Sequence, residues 1–371
     1  MRIVHMSDTH LGYSAYSKID PAEGVNQREA DIYAAFQRAV DRAIELKPDI
    51  VIHSGDLFDT VRPQNRAIDF ALRQLIRLSE AGIETVLISG NHSTPRLRET
   101  GSIFRIFEHL EHVHPVHEPG GAKIVVGDTT ITAIPHSVSP SLPDLVSAAM
   151  ISKGTKYNVL VLHAGILDSE TYKMDEFNEQ NVPLSSIDGR WDYVALGHFH
   201  RFAKVRENAY YSGSTERLGF GEASQDKGLV EVDLETHEAT FHKILIRDMV
   251  DLPPLDAAGM ASSEILQKAR DLASTSSVDD RIVRLVISNV SSDAYKSLDL
   301  PAIRRLGASA LHFELKVERE EAEGSVEAGE AHIGLLADEF KKYVARLEMT
   351  DEKKRKILDL GMTYFTKEEE S

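Results

Sequence analysis

The strongest constraint on how this chain folds is an alternation of two periodicities. In the first 165 residues, short apolar β-type runs at residues 2–7, 49–54, 85–89 and 158–163 alternate with stretches of helical spacing. Between the first two runs, Ile32, Phe36, Val40 and Ile44 recur every four residues. Between the next two, Ile68, Ala71, Leu72, Leu75 and Ile76 form an apolar stripe. Strand–helix–strand order predicts a layered α/β domain. KIVVGDTTITAIPH, residues 123–136, reads as a hairpin turning near Gly127 and Asp128. After residue 205 the pattern is mostly β (AYYSGS, GLVEVDL, EATFHKILI), so the first domain is expected to close at residue 248.

The runs also end alike. The first ends in SDTH, with Asp8 and His10; the second in SGDLFD, with Asp56 and Asp59; the third in SGNH, with Asn91 and His92. A later one ends in LHAG, with His163, and YVALGHFHRF delivers His198 and His200, two residues apart and so on one side of an extended chain. In open α/β sheets, ligands gather outside the carboxyl ends of the strands. Side chains of Asp, Asn and His brought there together predict a metal site. Oxygen and imidazole ligands without sulfur suit Mn²⁺, Fe²⁺ or Zn²⁺ better than Ca²⁺. The set is larger than one ion needs, which points to two ions about 3.5–4 Å apart sharing a carboxylate.

Composition narrows the class. With no cysteine, the chain can hold no disulfide, thiolate zinc site or cysteine nucleophile. A net charge of -17 argues against nonspecific coating of nucleic acid, though bound cations can invert the local field at a phosphate site. No apolar run approaches the roughly 18 residues of a membrane span. The N-terminus reads as a first strand rather than a signal peptide. A cytoplasmic protein is the expectation.

Beyond residue 248, DLPPLDAAG reads as a linker. A small α/β module follows, in which helical residues 263–273 precede RIVRLVIS, and helical residues 300–306 precede LHFELKV. Residues 318–330, rich in Glu, Gly and Ser, read as a solvated linker. In residues 331–371, Leu336, Phe340, Tyr343, Val344 and Leu347 make one apolar helical face. Thr350 stands as an N-cap, and Ile357, Leu360 and Tyr364 make a second face. Two short amphipathic helices have little core of their own and need a surface to dock on.

The ordered set D-x-H, G-D, G-N-H, H and G-H-x-H resembles the calcineurin-like metallophosphoesterase superfamily over residues 1–215. Within it, GSTERLGFGE (residues 213–222), MSDTHLG and NQREADIYAAF resemble DNA double-strand-break repair nucleases, the archaeal-type Mre-eleven/SbcD family. The resemblance implies an α/β fold: a metallophosphoesterase β-sandwich flanked by helices, a small α/β cap and a C-terminal helical segment. It implies a nuclease domain over residues 1–248, a DNA-binding cap over 249–317, the acidic linker 318–330, and an ATPase-binding segment 331–371. It further implies two Mn²⁺ ions per chain, with Mg²⁺ weaker. One is held by Asp8, His10, Asp56 and His200; the other by Asp56, Asn91, His163 and His198, with Asp56 bridging. His92 would face the substrate as the catalytic residue. The implied activity is exonuclease and endonuclease hydrolysis of DNA ends, by a homodimer working with an SMC-like ABC ATPase of the Rad-fifty/SbcC type in a heterotetramer. The family's homodimer would use the outer faces of residues 68–76 and 103–110.

Two positions depart from the family pattern. Asp59 stands where archaeal and eukaryotic members often carry His, and Ser93 where Asp or Glu usually follows G-N-H. Other readings stay open: a phosphatase or cyclic-nucleotide phosphodiesterase, or a non-catalytic scaffold on the same fold. His112, His114 and His117 read as surface histidines, His53 as a packed one, and His136 as either structural or part of the site wall. Arg96, Arg98, Arg105, Arg201, Lys204 and Arg206 are candidate DNA-phosphate contacts or solvated charge.

Overall fold

The parallel strands serve two layers at once because side-chain direction alternates along each. In the strand Arg2–Met6, Ile3 enters one apolar cluster while Val4 and Met6 enter another; in Ile50–His53, Ile50 and Ile52 oppose Val51 in the same way. Parallel pairing of Ile3 with Ile50 and of Ile52 with Val86 keeps these faces in register. The computed structural model describes residues 1–22, 24–94, 101–137, 139–167, 180–320, 340, 344 and 353–358.

Two six-stranded sheets lie face to face. The first runs, edge to edge, Glu238–Lys243, Gly228–Asp233, Arg2–Met6, Ile50–His53, Glu84–Ile88, Val113–Val116. The second runs Ala203–Arg206, Ala209–Tyr211, Tyr193–Gly197, Tyr157–His163, Thr129–Ile134, Ala122–Val126. Ile3, Ile50, Ile52, Val86 and Ile88 meet Ile131, Val159, Val161, Tyr193 and Ala195 between them. The helices Gln27–Leu46 and Asn65–Glu80 cover the first sheet's outer face through Ile32, Phe36, Val40, Ala71 and Leu75. Truncating the buried Phe36 to Ala is expected to cost about 3–5 kcal/mol. The helix Leu142–Ala148 and Trp191 close the second sheet's outer face.

Local signals explain the boundaries. The Asn26 side chain accepts from the backbone N–H of Arg28 and starts the first helix; Lys47, at φ 49°, ends it just before Pro48. Val126 pairs with Thr129, so Gly127 and Asp128 form a two-residue hairpin turn.

Residues 249–320 form a smaller layered unit. Ile282–Val290 is its central strand, parallel to Met249–Asp251, Leu255–Asp256 and His312–Arg319. The segment expected to be a plain linker therefore contributes strand: Leu255 and Asp256 pair with Ile287 and Ser288 just after the two prolines. The last strand runs through Arg319, past the expected boundary at 317, because Arg319 pairs with Val290 and the Glu320 N–H also bonds the Val290 carbonyl. Tyr16 stacks on His312 at 3.7 Å and Arg284 sits 4.6 Å above the Phe220 ring. Arg247 joins Asp31 of the first helix to Asp280. The acidic linker beyond residue 320 and most of residues 331–371 lie outside the described residues. Of that segment, Val344 is buried and residues 353–358 are helical.

Candidate metal centre

The central strands of both sheets release their chains at one rim, and the backbone there is turned sharply. Asp8, His10 and Asp56 have φ of 52°, 51° and 51°, and His198 has φ of 103°. Left-handed conformations at non-glycine residues cost on the order of 1–3 kcal/mol each and persist only where neighbours hold them. Here the Asp8 and His10 N–H groups donate to the carbonyls of Gly55 and Asp56, both at 3.0 Å, and the His198 N–H reaches the Asp8 carboxylate at 3.1 Å. Two glycines make room. A side chain at Gly55 (φ 108°) would strike the His163 ring, and one at Gly90 would strike the Asp56 carboxylate.

These turns gather the side chains into two sets. In the first, His10 Nε2 and His200 Nε2 stand 3.2 Å apart beside Asp8. The other ring nitrogen of each faces a carboxylate: His10 Nδ1 lies 3.2 Å from Asp59, and His200 Nδ1 lies 2.9 Å from Glu222. A nitrogen facing a carboxylate carries the proton, so the two Nε2 lone pairs point at each other. In the second set, His163 Nδ1 donates to the Ser54 carbonyl at 2.9 Å. Its Nε2 therefore faces Asn91 Oδ1 at 2.8 Å and Asp56 Oδ2 at 3.0 Å, again acceptor against acceptor. Converging acceptors require a proton or a cation between them, and the donor set of carboxylate, carboxamide and imidazole fits a divalent transition-metal ion.

Without a cation, protons fill the role. Burial disfavours charge on His163, but Asp56 and Asp8 outweigh it and raise its pKa to about 9. Burial alone would raise Asp56; His163, His10 and His92 override it and hold its carboxyl well below the usual range. His198 behaves oppositely: burial pushes it down to about 3, so it stays a neutral ring.

All the expected ligand positions are brought to this rim: Asp8, His10 and His200 in one cluster, Asp8, Asp56 and His163 in another, Asn91 against His163, and His198 with its ring 5.4 Å from that of His163. His92 sits on the partly open side. Its Nδ1 donates to the Asp59 carbonyl at 2.9 Å and its N–H donates to Asp56 at 3.0 Å. The expected side-chain partner after G-N-H is thus replaced by a backbone carbonyl, while Ser93 is buried with its hydroxyl turned to the Phe58 carbonyl. Asp59, read from the sequence as a departure, pairs with His10.

His53 is packed, bonding Thr9 at 2.7 Å, and burial lowers it to about 4. His136 is buried beside the rim and lowered to about 4 by burial, then by His163. His112 and His114 lie away from the centre, both on Glu84. Arg105, Arg201 and Lys204 are exposed, with Lys204 held by Glu207; Arg96 and Arg98 lie outside the described residues. Two residues that sequence reasoning did not single out, Glu222 and Lys227, stand directly behind His200. Glu222 lies inside the quoted GSTERLGFGE segment, but 22 residues from its imidazole partner.

The family profile described as calcineurin-like phosphoesterase matches residues 1–202. The chain belongs to that family. Among curated relatives of this phosphoesterase, the DNA double-strand break repair protein Mre11 of Methanocaldococcus jannaschii is 31% identical over 66% of this chain and 65% of its own length. The Mre11 proteins of Methanococcus maripaludis and Sulfurisphaera tokodaii are 30% and 32% identical over 61% and 54% of this chain. This phosphoesterase spans 60%, 65% and 49% of the lengths of the Methanococcus, Methanocaldococcus and Sulfurisphaera proteins.

Proposed function

We propose that this phosphoesterase is a Mn²⁺-dependent DNA nuclease that hydrolyses phosphodiester bonds at DNA ends during double-strand break repair. The observation that carries the reading is the pair of converging acceptor sets, His10 with His200 and His163 with Asn91 and Asp56, joined by buried carboxylates. Likeness to archaeal Mre11 proteins supports DNA as the substrate. Asp8, His10, Asp56 and His200 would hold one ion; Asp56, Asn91, His163 and His198 the other. Two divalent cations there would supply an activated water and neutralise charge on the phosphoryl oxygens.

The chain's own residues then divide the remaining work. Asp56 is fixed by the His92 N–H, which keeps its second oxygen on His163. His92 donates Nδ1–H to the Asp59 carbonyl; as an imidazolium it would also carry a proton on Nε2, with which it would stabilise or protonate the departing oxygen of the scissile phosphate. Nuclease assays on linear and circular DNA with Mn²⁺ and with Mg²⁺ test the reading. Cleavage with Mn²⁺ supports it. Hydrolysis of cyclic nucleotides or phosphomonoesters with intact DNA would replace it by a phosphatase-type function, and metal binding with no hydrolysis by a scaffold.

We extend the proposal to assembly. A homodimer working with an SMC-like ABC ATPase fits the amphipathic pattern of residues 331–371 beyond an acidic stretch. Deleting residues 331–367 is expected to abolish co-purification with that ATPase and to leave Mn²⁺-dependent cleavage largely intact. Full-affinity binding by the truncated chain would overturn the assignment.

A further inference from the structure

His200 is the candidate ligand most heavily braced from behind. Its Nδ1 meets Glu222 Oε1 at 2.9 Å, and Glu222 Oε2 meets the Lys227 ammonium at 2.6 Å. The Lys227 side chain is fully buried, yet every direction of its ammonium is used. It donates to the His200 carbonyl at 2.6 Å, to Ser214 at 2.8 Å and to Gln225 at 3.0 Å. The Ser214 N–H also donates to the His200 carbonyl, at 3.0 Å. One buried ion pair thus grips the residue at both ends, ring and backbone. A buried lysine and glutamate are costly to desolvate and stabilise little by their presence. Packing alone does not call for them behind an imidazole that lies 3.2 Å from His10.

We infer that Glu222, locked by Lys227, is a positioning residue of the metal centre. It holds the His200 proton on Nδ1 and aims Nε2 at the ion shared with Asp8 and His10. Carboxylates behind metal-binding histidines fix tautomer and orientation in this way, and their loss typically costs about 10–100-fold in metal affinity. Glu222 lies in the GSTERLGFGE segment, a likeness that assigns it no role; its place behind His200 does. The inference rests on the metal-centre reading above.

The test is a Mn²⁺ titration of the full chain, followed by electron paramagnetic resonance of the free ion, beside thermal melts without metal. Wild type is expected to take up two ions, and His200→Ala to lose one. Glu222→Ala is expected to weaken one ion by about 10–100-fold and to leave the other unchanged. Glu222→Gln, which keeps an acceptor for Nδ1–H but not the charge, should recover part of that loss; it carries the test if Glu222→Ala does not fold. In a His200→Ala background, Glu222→Gln should change Mn²⁺ affinity no further. Wild-type affinity for both ions in a folded Glu222 variant would overturn the inference, as would an equal loss with or without His200. If wild type takes up no pair of ions, or His200→Ala loses none, the metal-centre reading itself fails.

Discussion

The chain carries two His-x-His pairs, and the fold treats them in opposite ways. His198 and His200 follow Tyr193–Gly197, a strand flanked on both sides in the second sheet. His112 and His114 sit at the start of Val113–Val116, the edge strand of the first sheet. Side-chain exposure is 13% for His200 but 43% and 36% for His112 and His114. The decisive difference is in the partners. His200 has a carboxylate behind it and a second imidazole in front, so one nitrogen is held and the other is presented. His112 and His114 both spend a nitrogen on the single carboxylate of Glu84, at 2.8 and 2.7 Å. Among the described residues, the groups geometrically able to hold a metal include His200 and neither His112 nor His114. Equal spacing in sequence therefore says little. What makes an imidazole pair a candidate metal wall is the strand end it follows and what other strand ends bring opposite it.

The largest test of this contrast is to remove one imidazole from each region. His163→Ala is expected to empty or weaken one of two Mn²⁺ sites and to lose measurable nuclease turnover, whereas His114→Ala should keep both ions and the wild-type rate. Anomalous scattering at the manganese edge would place the ions. A pair bridged by Asp56 fits the contrast; a single ion, or ions at His112–His117, breaks it.

His92 sharpens the comparison inside the rim, since it is an imidazole there that is not expected to ligate. Asn91 and His92 lie in a turn beyond the strand Glu84–Ile88, where Asn91 Oδ1 faces His163 and the His92 backbone N–H donates to Asp56. The His92 Nδ1 is already committed to the Asp59 carbonyl. His92→Ala should keep both ions and DNA binding and lose about 10²- to 10⁴-fold in single-turnover cleavage. A wild-type rate, or a loss traced to a missing ion, would remove this role.

Much of this was legible beforehand, for a physical reason. Strands buried on both faces read as continuous apolar runs, and their abrupt ends in Asp, Asn and His mark where the chain leaves the core. That gave the central strands, both long helices and the rim residues. The illegible parts depend on distant or backbone groups. Nothing near Glu222 in sequence announces His200, and the carbonyl that takes the His92 proton is available at any residue. Val113–Val116 was hidden by its histidines and Pro115, tolerable there because an edge strand leaves one side unpaired. Leu255–Asp256 was hidden by the two prolines just ahead of it.

A third test asks whether the edge pair does anything at all. The double variant His112→Ala with His114→Ala removes two partly exposed ion pairs, each worth about 0–1 kcal/mol. It should leave Mn²⁺ uptake and cleavage unchanged and lower the melting temperature by a few degrees at most. A metal or rate defect in this variant would join the two regions that the structure separates.

The smallest effect lies in the acid dependence of that same pair. Burial alone would raise the Glu84 pKa; hydrogen bonds from His114 and His112 outweigh it and hold the carboxyl below its ordinary value of 4.5. A depressed carboxyl binds fewer protons folded than unfolded, so its contribution is fully present above the unfolded value and fades as pH falls through the folded one. Removing both imidazoles removes the depression. The gap in melting temperature between wild type and double variant should therefore narrow as pH falls below about 4.5, and close in stronger acid. Thermal melts across that range would show it. A gap that widens as pH falls below about 4.5 would mean that Glu84 is not the group the two imidazoles stabilise.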